Sequence, residues 1–397
     1  MTPPLQHGQA AQLAEIPAGT RNIRSNGPEA DDALAINPDH STGRSSTILG
    51  EPPVCAHHAN VVTNRDRVQY SQTGPRSAAR GCVEGETLLT ETHRFKPTTW
   101  SNVLADIAPA IRVASGDIII TETLDAAGTD ARRERKADRP NPMNGPIHVA
   151  GAEPGDALRV EILRVDPVSA TGWTRAALSA NVLEPEYARH LPPRDRAEWI
   201  VDRKTSTVRL EKPDTALREL VLPCAPMIGC FGVAPSGGEA ISTATSSRNG
   251  GNMDYRGFAV GCSVSFPVFV PGALFFVGDC HALQGDGEIS GTGVETCCEV
   301  ELRLTVEKDR AIGWPRGETE NRIFTVGNAR PLDQALQHAT TEMVVWLKSD
   351  YGLSDSDAAH LLGQTVRYEV GNVFNPAYTM ICSVQKKWLP DSVRESS

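Results

Sequence analysis

Four ionisable side chains, Asp279, His281, Asp286 and Glu288, fall in the run Gly-Asp-Cys-His-Ala-Leu-Gln-Gly-Asp-Gly-Glu, residues 278–288. Asp254 lies upstream in Gly-Gly-Asn-Met-Asp, and Glu295 lies downstream. Carboxylates grouped with one imidazole form the donor set of a divalent-metal site, and such a metal can activate water for hydrolysis. If residues 275–281 form a strand, Phe275, Val277, Asp279 and His281 share one face, so Asp279 and His281 point together. Asp286 and Glu288 repeat the same spacing. One pair could then hold a cation while a carboxylate of the other takes the proton of a bound water. The glycines at 278, 285 and 287 would let backbone approach a ligand closely. A plainer reading stands beside this one. Asp-x-His pairs are common, Gly-Asp-Gly is a familiar hairpin turn, Asp254 fits a turn, and Glu295 fits a solvated strand position. Concentration favours chemistry, because solvated-face residues would be dispersed rather than gathered beside an apolar strand.

The elements that must position these groups read mainly as strands. Residues 264–270 and 273–277 are apolar and separated by Pro271-Gly272, which leads the chain into the acidic window. Residues 110–124 read as strands around a Ser115-Gly116-Asp117 turn and deliver the chain to Asp125. Leu158, Val160 and Ile162 alternate with Arg159 and Glu161, and Val300, Leu302, Leu304 and Val306 alternate with Glu301, Arg303 and Thr305, giving half-buried strands. Residues 205–212 read as a further strand, and 221–233 as an apolar run punctuated by proline and glycine. Residues 126–145 form a polar loop long enough to suspect a functional excursion. Residues 234–252 are small and polar, a loop by composition, and 167–203 are weakly patterned. The period becomes helical near Asp333, with Leu336, Ala339, Met343 and Leu347 on one face and Gly352 as the stop. A second short helix has Ser354 and Asp357 in capping-box spacing and Gly363 as its expected end. Strand-like composition returns over 365–384. These patterns predict a mainly-β protein: a β-sandwich or barrel-like core with a small α+β element near the C-terminus, its helices at about 333–362.

Composition limits the function classes. The 397 residues suffice for a large core, and 40% hydrophobic with 22% charged residues is ordinary for a globular protein. A net charge of −10 argues against nucleic acid or an anionic membrane as partner. No run approaches the roughly 18–20 apolar residues that span a bilayer. The N-terminus lacks the basic start and apolar stretch of a secretory signal, so a cytoplasmic location is expected. Residues 1–85 are rich in Pro, Gly, Ser, Asn and Arg with few large aliphatics, and read as a disordered extension before a folded catalytic region at 86–390. The nine cysteines include no CxxC pair and read as reduced, buried thiols rather than a zinc-cysteine site. His57–His58 beside Cys55 lacks further ligands nearby. His93 precedes the first strands and is a weaker candidate to reach the acidic cluster. There is no GxSxG elbow and no phosphate loop. The serine-rich run at 242–247 has no lysine near it, which disfavours a serine-nucleophile amidase.

Roughly three quarters of the chain, from about residue 90 to 390, resembles the acetamidase/formamidase family. The resemblance rests on Thr-Leu-Asp-Ala at 123–126, NPMNGPIHVAGAEPGD at 141–156, GVAP at 232–235, GGNMD at 250–254 and GALFFVGDCHALQGDGEISGTGVE at 272–295. The helix LDQALQHATTEMVVWL and the following GLSDSDA are similar too. The resemblance implies a cytosolic, homo-oligomeric hydrolase of short amides with a mainly-β fold and a divalent metal, zinc, near Asp279 and His281. Carried over by position, Asp125, Asp254, Asp279 and His281 match acidic and imidazole positions and are expected at the metal. Asp286, Glu288 and Glu295 match the remaining carboxylates and are expected to move protons. The chain departs from the family pattern at Asn144, over 242–249 and over 92–100, which leaves substrate identity more open than reaction class. Two other readings stay open here: a hydrolase of a larger or cyclic amide such as a lactam, and a non-catalytic β-rich binding protein.

Overall fold

The computed structural model describes residues 90–213 and 216–392, which belong to a compact unit spanning Val83–Ser397. The expected N-terminal extension and the His57–His58 pair lie outside the described residues. Among those residues the fold is mainly β, as the alternation predicts. Nine strands form one sheet and eleven form another. The first sheet runs through the long strands Ala157–Pro167 and Cys298–Glu307, paired antiparallel over almost their whole length. Their alternating burial matches the sequence pattern, with Val160, Val300, Leu302 and Leu304 turned inward. The second sheet is centred on Met227–Val233 and Phe275–His281, in which every residue is buried. Side chains from both sheets share one apolar core, with Val160, Val264 and Val300 from the first meeting Ile147, Phe231, Phe275 and Val277 from the second. Phe231 stands edge-on to both Phe258 and Phe266, a ring geometry that adds to simple burial.

The C-terminal element is as expected in kind. A helix at Leu332–Tyr351 ends on Gly352 in the left-handed conformation and packs on the strands Arg322–Ala329 and Tyr378–Gln385. Gly327 permits that approach, since a Cβ there would lie 2.0 Å from the Ala335 carbonyl oxygen. The buried face begins at Ala335 rather than Leu336, and it carries two acids the period does not predict. Glu342 and Asp350 turn inward because Arg316 is buried beneath them, with Glu342 at 2.6 Å. The second helix, Asp355–Thr365, has the Ser354–Asp357 capping box but runs two residues past Gly363. Gly363 meets nothing a side chain would strike and is not in a left-handed conformation, so it cannot stop the helix.

Two other stretches hold strands that the sequence pattern does not mark. Residues 167–203 contain the strands Thr171–Arg175 and Arg196–Asp202, paired antiparallel. Both are only half-buried with polar groups on either side, so they leave no clean alternation. The presumed loop at 234–252 ends in a short strand, Gly250–Asn252, lying against Met227–Val233. Its small residues serve closeness: a Cβ on Gly232 would lie 2.4 Å from the Asn249 carbonyl oxygen. That strand carries Asp254 toward the centre of the second sheet. No helix among the described residues is long and apolar enough to cross a membrane. The seven described cysteines are free thiols, six of them buried.

Candidate metal centre

Asp279 and His281 sit near the end of Phe275–His281, and its neighbours bring the remaining acids to them. Antiparallel pairing sets Glu295, on the two-residue strand Glu295–Thr296, directly across from His281. On the other side, the Gly229 carbonyl accepts hydrogen bonds from the backbone N–H groups of Met253 and Asp254, which fixes Asp254 beside Asp279. The loop after His281 returns Glu288. Asp254, Asp279, His281, Glu288 and Glu295 are all buried. Their ligand atoms fall into two overlapping groups, Asp254–His281–Glu288 and Asp279–His281–Glu295, each with its atoms within 4.8 Å of one another.

Strand alternation gives the right partners but not the right reason. The register passes from Ile228↔Cys280 to Cys230↔Gly278, leaving Gly229 beside Asp279 without a regular pair. Asp279 takes φ +53 there, and Asp254 and Glu288 are also left-handed at φ +42 and +46. Such conformations are uncommon for side chains with a Cβ and concentrate at functional sites. Two glycines make the room. A Cβ on Gly229 would lie 2.6 Å from Asp254 Oδ1, and one on Gly293 would lie 2.4 Å from His281 Nδ1.

The group keeps several polar atoms without hydrogen-bond partners. His281 Nε2 lies 3.2 Å from Glu295 Oε2 and 3.5 Å from Asp279 Oδ1, near enough for ion pairing but without hydrogen-bond alignment. Asp254 Oδ1, Asp279 Oδ1, His281 Nε2, Glu288 Oε2 and Glu295 Oε2 are all buried without a hydrogen-bond partner. Five orphaned polar atoms in one place are costly unless something binds them. Burial, then the charge of Asp279, raises the Asp254 carboxyl to about 7. Burial, then the Asp254 charge, pushes Glu288 well up; burial likewise raises Glu295, with the His281 charge opposing it. Burial opposes charge on His281, but the surrounding carboxylates, Glu295 foremost, outweigh it and push the imidazole well above its usual range. Four carboxylate oxygens and one imidazole nitrogen, all unpartnered, fit a divalent cation, so this group could hold a metal ion.

The other expected residues lie differently. Asp125 lines a narrow crevice that Glu295 also lines, but its oxygens accept hydrogen bonds from the Ala127 and Thr129 N–H groups and Trp173 Nε1. It thereby pins the start of the long loop rather than presenting free oxygens. Asp286 is exposed and pairs with Arg256 at 2.5 Å. His93 bonds Asp117 at 2.8 Å instead of joining His281. Asn144, where the chain departs from the family pattern, is buried and donates to Thr121 Oγ1 and the Glu122 carbonyl.

Amides surround the acids, and no sequence pattern marks them. Asn375 Nδ2 donates to Asp254 Oδ2 at 2.5 Å, and the Gly293 N–H donates to Glu295 Oε1 at 3.1 Å. Gln284 Oε1 faces His281 Nδ1 at 2.8 Å. Neutral donors suit a site already crowded with negative charge. The run Gly-Asn-Val-Phe-Asn-Pro at 371–376 was the available signal, but amides carry neither charge nor period to mark them.

The chain as a whole is similar to proteins of one family. The acetamidase/formamidase family model matches residues 91–238 and 237–342. An acetamidase from Mycolicibacterium smegmatis is 30% identical over 245 residues, a match covering 48% of this chain and 59% of that protein's length. The crystal structure of a predicted acetamidase/formamidase from Thermoanaerobacter tengcongensis is 31% identical with a TM-score of 0.65, covering 75% of this chain and 96% of that one. That of an acetamidase from Yersinia enterocolitica is 28% identical with a TM-score of 0.67, covering 77% and 94%.

Proposed function

As the chain belongs to the acetamidase/formamidase family, we propose that it hydrolyses a short linear amide to a carboxylate and ammonia. The observation that carries this reading is the set of five buried, unpartnered donor atoms at the end of Phe275–His281. His281 Nε2, Asp279 Oδ1 and Glu295 Oε2 converge and would hold a divalent metal, zinc, with Asp254 Oδ1 beside them. When bound, that metal supplies Lewis acidity toward an amide carbonyl and acidity to a water.

The protein's own groups do the rest. Glu288, next to Asp254 with one oxygen free, is placed to take a water's proton. The same carboxyl returns that proton to the departing nitrogen, because ammonia leaves poorly as its anion. Asn375 and the Gly293 N–H hold Asp254 and Glu295 in fixed orientations. Burial keeps bulk water from weakening the charge interactions among them. Asp125 sits outside the group of free ligand atoms and is assigned the role of fixing the loop beside the Glu295 crevice.

The test is metal analysis of the purified protein together with ammonia release from formamide, acetamide and propionamide, before and after chelation. Retained zinc and chelator-sensitive ammonia release are expected. No ammonia from any of the three would remove the hydrolase reading, while activity indifferent to chelator in metal-free protein would remove the metal. A finer check is Gly229→Ala. Its Cβ would strike Asp254 Oδ1, which Asn375 prevents from yielding. Since ångström-scale misplacement costs on the order of 10²-fold, kcat should fall by about that factor, read as ammonia release. Wild-type rates in this variant would mean that Asp254 does not need its observed position.

A further inference from the structure

Gln284 lies inside the chemistry-bearing window, is buried, and has no part in the steps above. Its amide orientation follows from its partners. Nε2 points at the carbonyl oxygens of Asp254, at 2.6 Å, and of Gly371, at 3.4 Å. Carbonyl oxygens only accept, so the donor end of the amide must face them. Oε1 is therefore the atom 2.8 Å from His281 Nδ1. An amide oxygen cannot donate, so the hydrogen in this contact sits on Nδ1. That leaves Nε2 as the nitrogen with a lone pair to offer, and Nε2 is the atom facing Glu295 Oε2 and Asp279 Oδ1.

We propose that Gln284 is the positioning residue of the metal centre, selecting the His281 tautomer that presents Nε2 to the ion and locking the ring's rotation. The inference rests on the metal reading given above. The ring is held on its edge by the Gln284 oxygen and has Gly293 packed against it, where no side chain fits. A single amide thus ties three separate stretches of chain: the one bearing Asp254, the one bearing His281, and the turn at Gly371 that leads to Asn375. A glutamine does this without adding a further negative charge to a group of four buried carboxylates. Metal-binding histidines generally need such a partner on their second nitrogen, and losing it typically costs about 10–100-fold in metal affinity.

The experiment uses the full chain stripped of metal and titrated with zinc against a competing chelator. Three variants are compared with the wild type. Gln284→Leu keeps the volume but removes both ends of the amide. Gln284→Glu keeps an oxygen opposite Nδ1. Asn249→Ala removes a buried amide that holds the Val233 carbonyl, at the opposite end of Met227–Val233 from the residue paired with His281. Gln284→Leu is expected to raise the zinc Kd about 10–100-fold, Gln284→Glu to recover most of that loss, and Asn249→Ala to leave it little changed. In protein labelled with ¹⁵N at histidine, zinc-loaded wild type should show a protected Nδ1–H signal for His281 that Gln284→Leu loses. Unchanged zinc affinity and an unchanged histidine signal in Gln284→Leu would overturn the proposal while leaving the metal site intact. Equal losses in Gln284→Leu and Asn249→Ala would also overturn it, because they would mark a general packing effect. Wild-type protein that binds no zinc would bring down the metal reading itself, and this inference with it.

Discussion

Replacing His281 with alanine is expected to strip the metal from the protein and lower kcat/KM for amide hydrolysis by at least about 10³-fold, the equivalent of several kcal/mol of lost Lewis-acid stabilisation. The size of the effect follows from the residue's place. His281 belongs to both groups of converging ligand atoms and is the only nitrogen donor in either. Without it, four carboxylates remain sealed from water with no imidazole between them. Such a group binds protons in preference to a cation held by poorly placed oxygens. Metal content per chain, ammonia release and the far-UV circular dichroism spectrum are the measurements. A native spectrum with lost metal separates an effect on the site from loss of the fold. Undiminished metal and rate in His281→Ala would move the centre elsewhere in the molecule.

Glu288→Gln is expected to lower kcat by about 10²–10⁴-fold, the usual worth of a positioned proton-transfer group, with metal content close to that of the wild type. The substitution keeps shape and hydrogen-bonding reach but cannot accept a proton from water. Asp286→Asn, two residues away, should leave the rate nearly unchanged. Its carboxylate is exposed and paired with Arg256, and exposed ion pairs contribute only about 0–1 kcal/mol. The two acids have the same spacing as a strand pair, yet the chain does not run as a strand here. Gly287 at φ +80 and Glu288 at φ +46 turn the backbone so that one carboxylate goes inward and the other out. Steady-state ammonia release from both variants decides the matter. A severe loss in Asp286→Asn combined with a mild one in Glu288→Gln would reverse the assignment.

How much of this was legible in the sequence depends on the range of each signal. The strand Cys298–Glu307 and the helix Leu332–Tyr351 announce themselves because one face of each meets the core, and that face repeats at the element's own period. The capping box of Asp355–Thr365 is likewise local, confined to four residues. The strands at Thr171–Arg175 and Arg196–Asp202 are half-buried with mixed faces, so no period marks them. The acidic window around His281 stood out because its acids are close in sequence and adjoin an apolar strand. Residue types and spacing, together with the family resemblance, were enough to gather Asp254, Asp279, His281, Glu288 and Glu295 into one candidate set with Asp125 and Asp286.

They could not separate these five from Asp125 and Asp286, nor reveal Gln284 and Asn375. Which acids meet is decided by cross-strand register and by loops that close over long separations. His281 faces Glu295 through pairing, Asp254 arrives by way of Gly229, and Asn375 reaches Asp254 from 121 residues away. A buried carboxylate keeps an oxygen unpaired because of what surrounds it in space: glycines that leave room and neutral amides that hold it without adding charge. The sequence alone determined a mainly-β chain and its candidate ligands. Only the tertiary structure decided which oxygens stay free, because burial and unmet hydrogen bonds are properties of the folded arrangement.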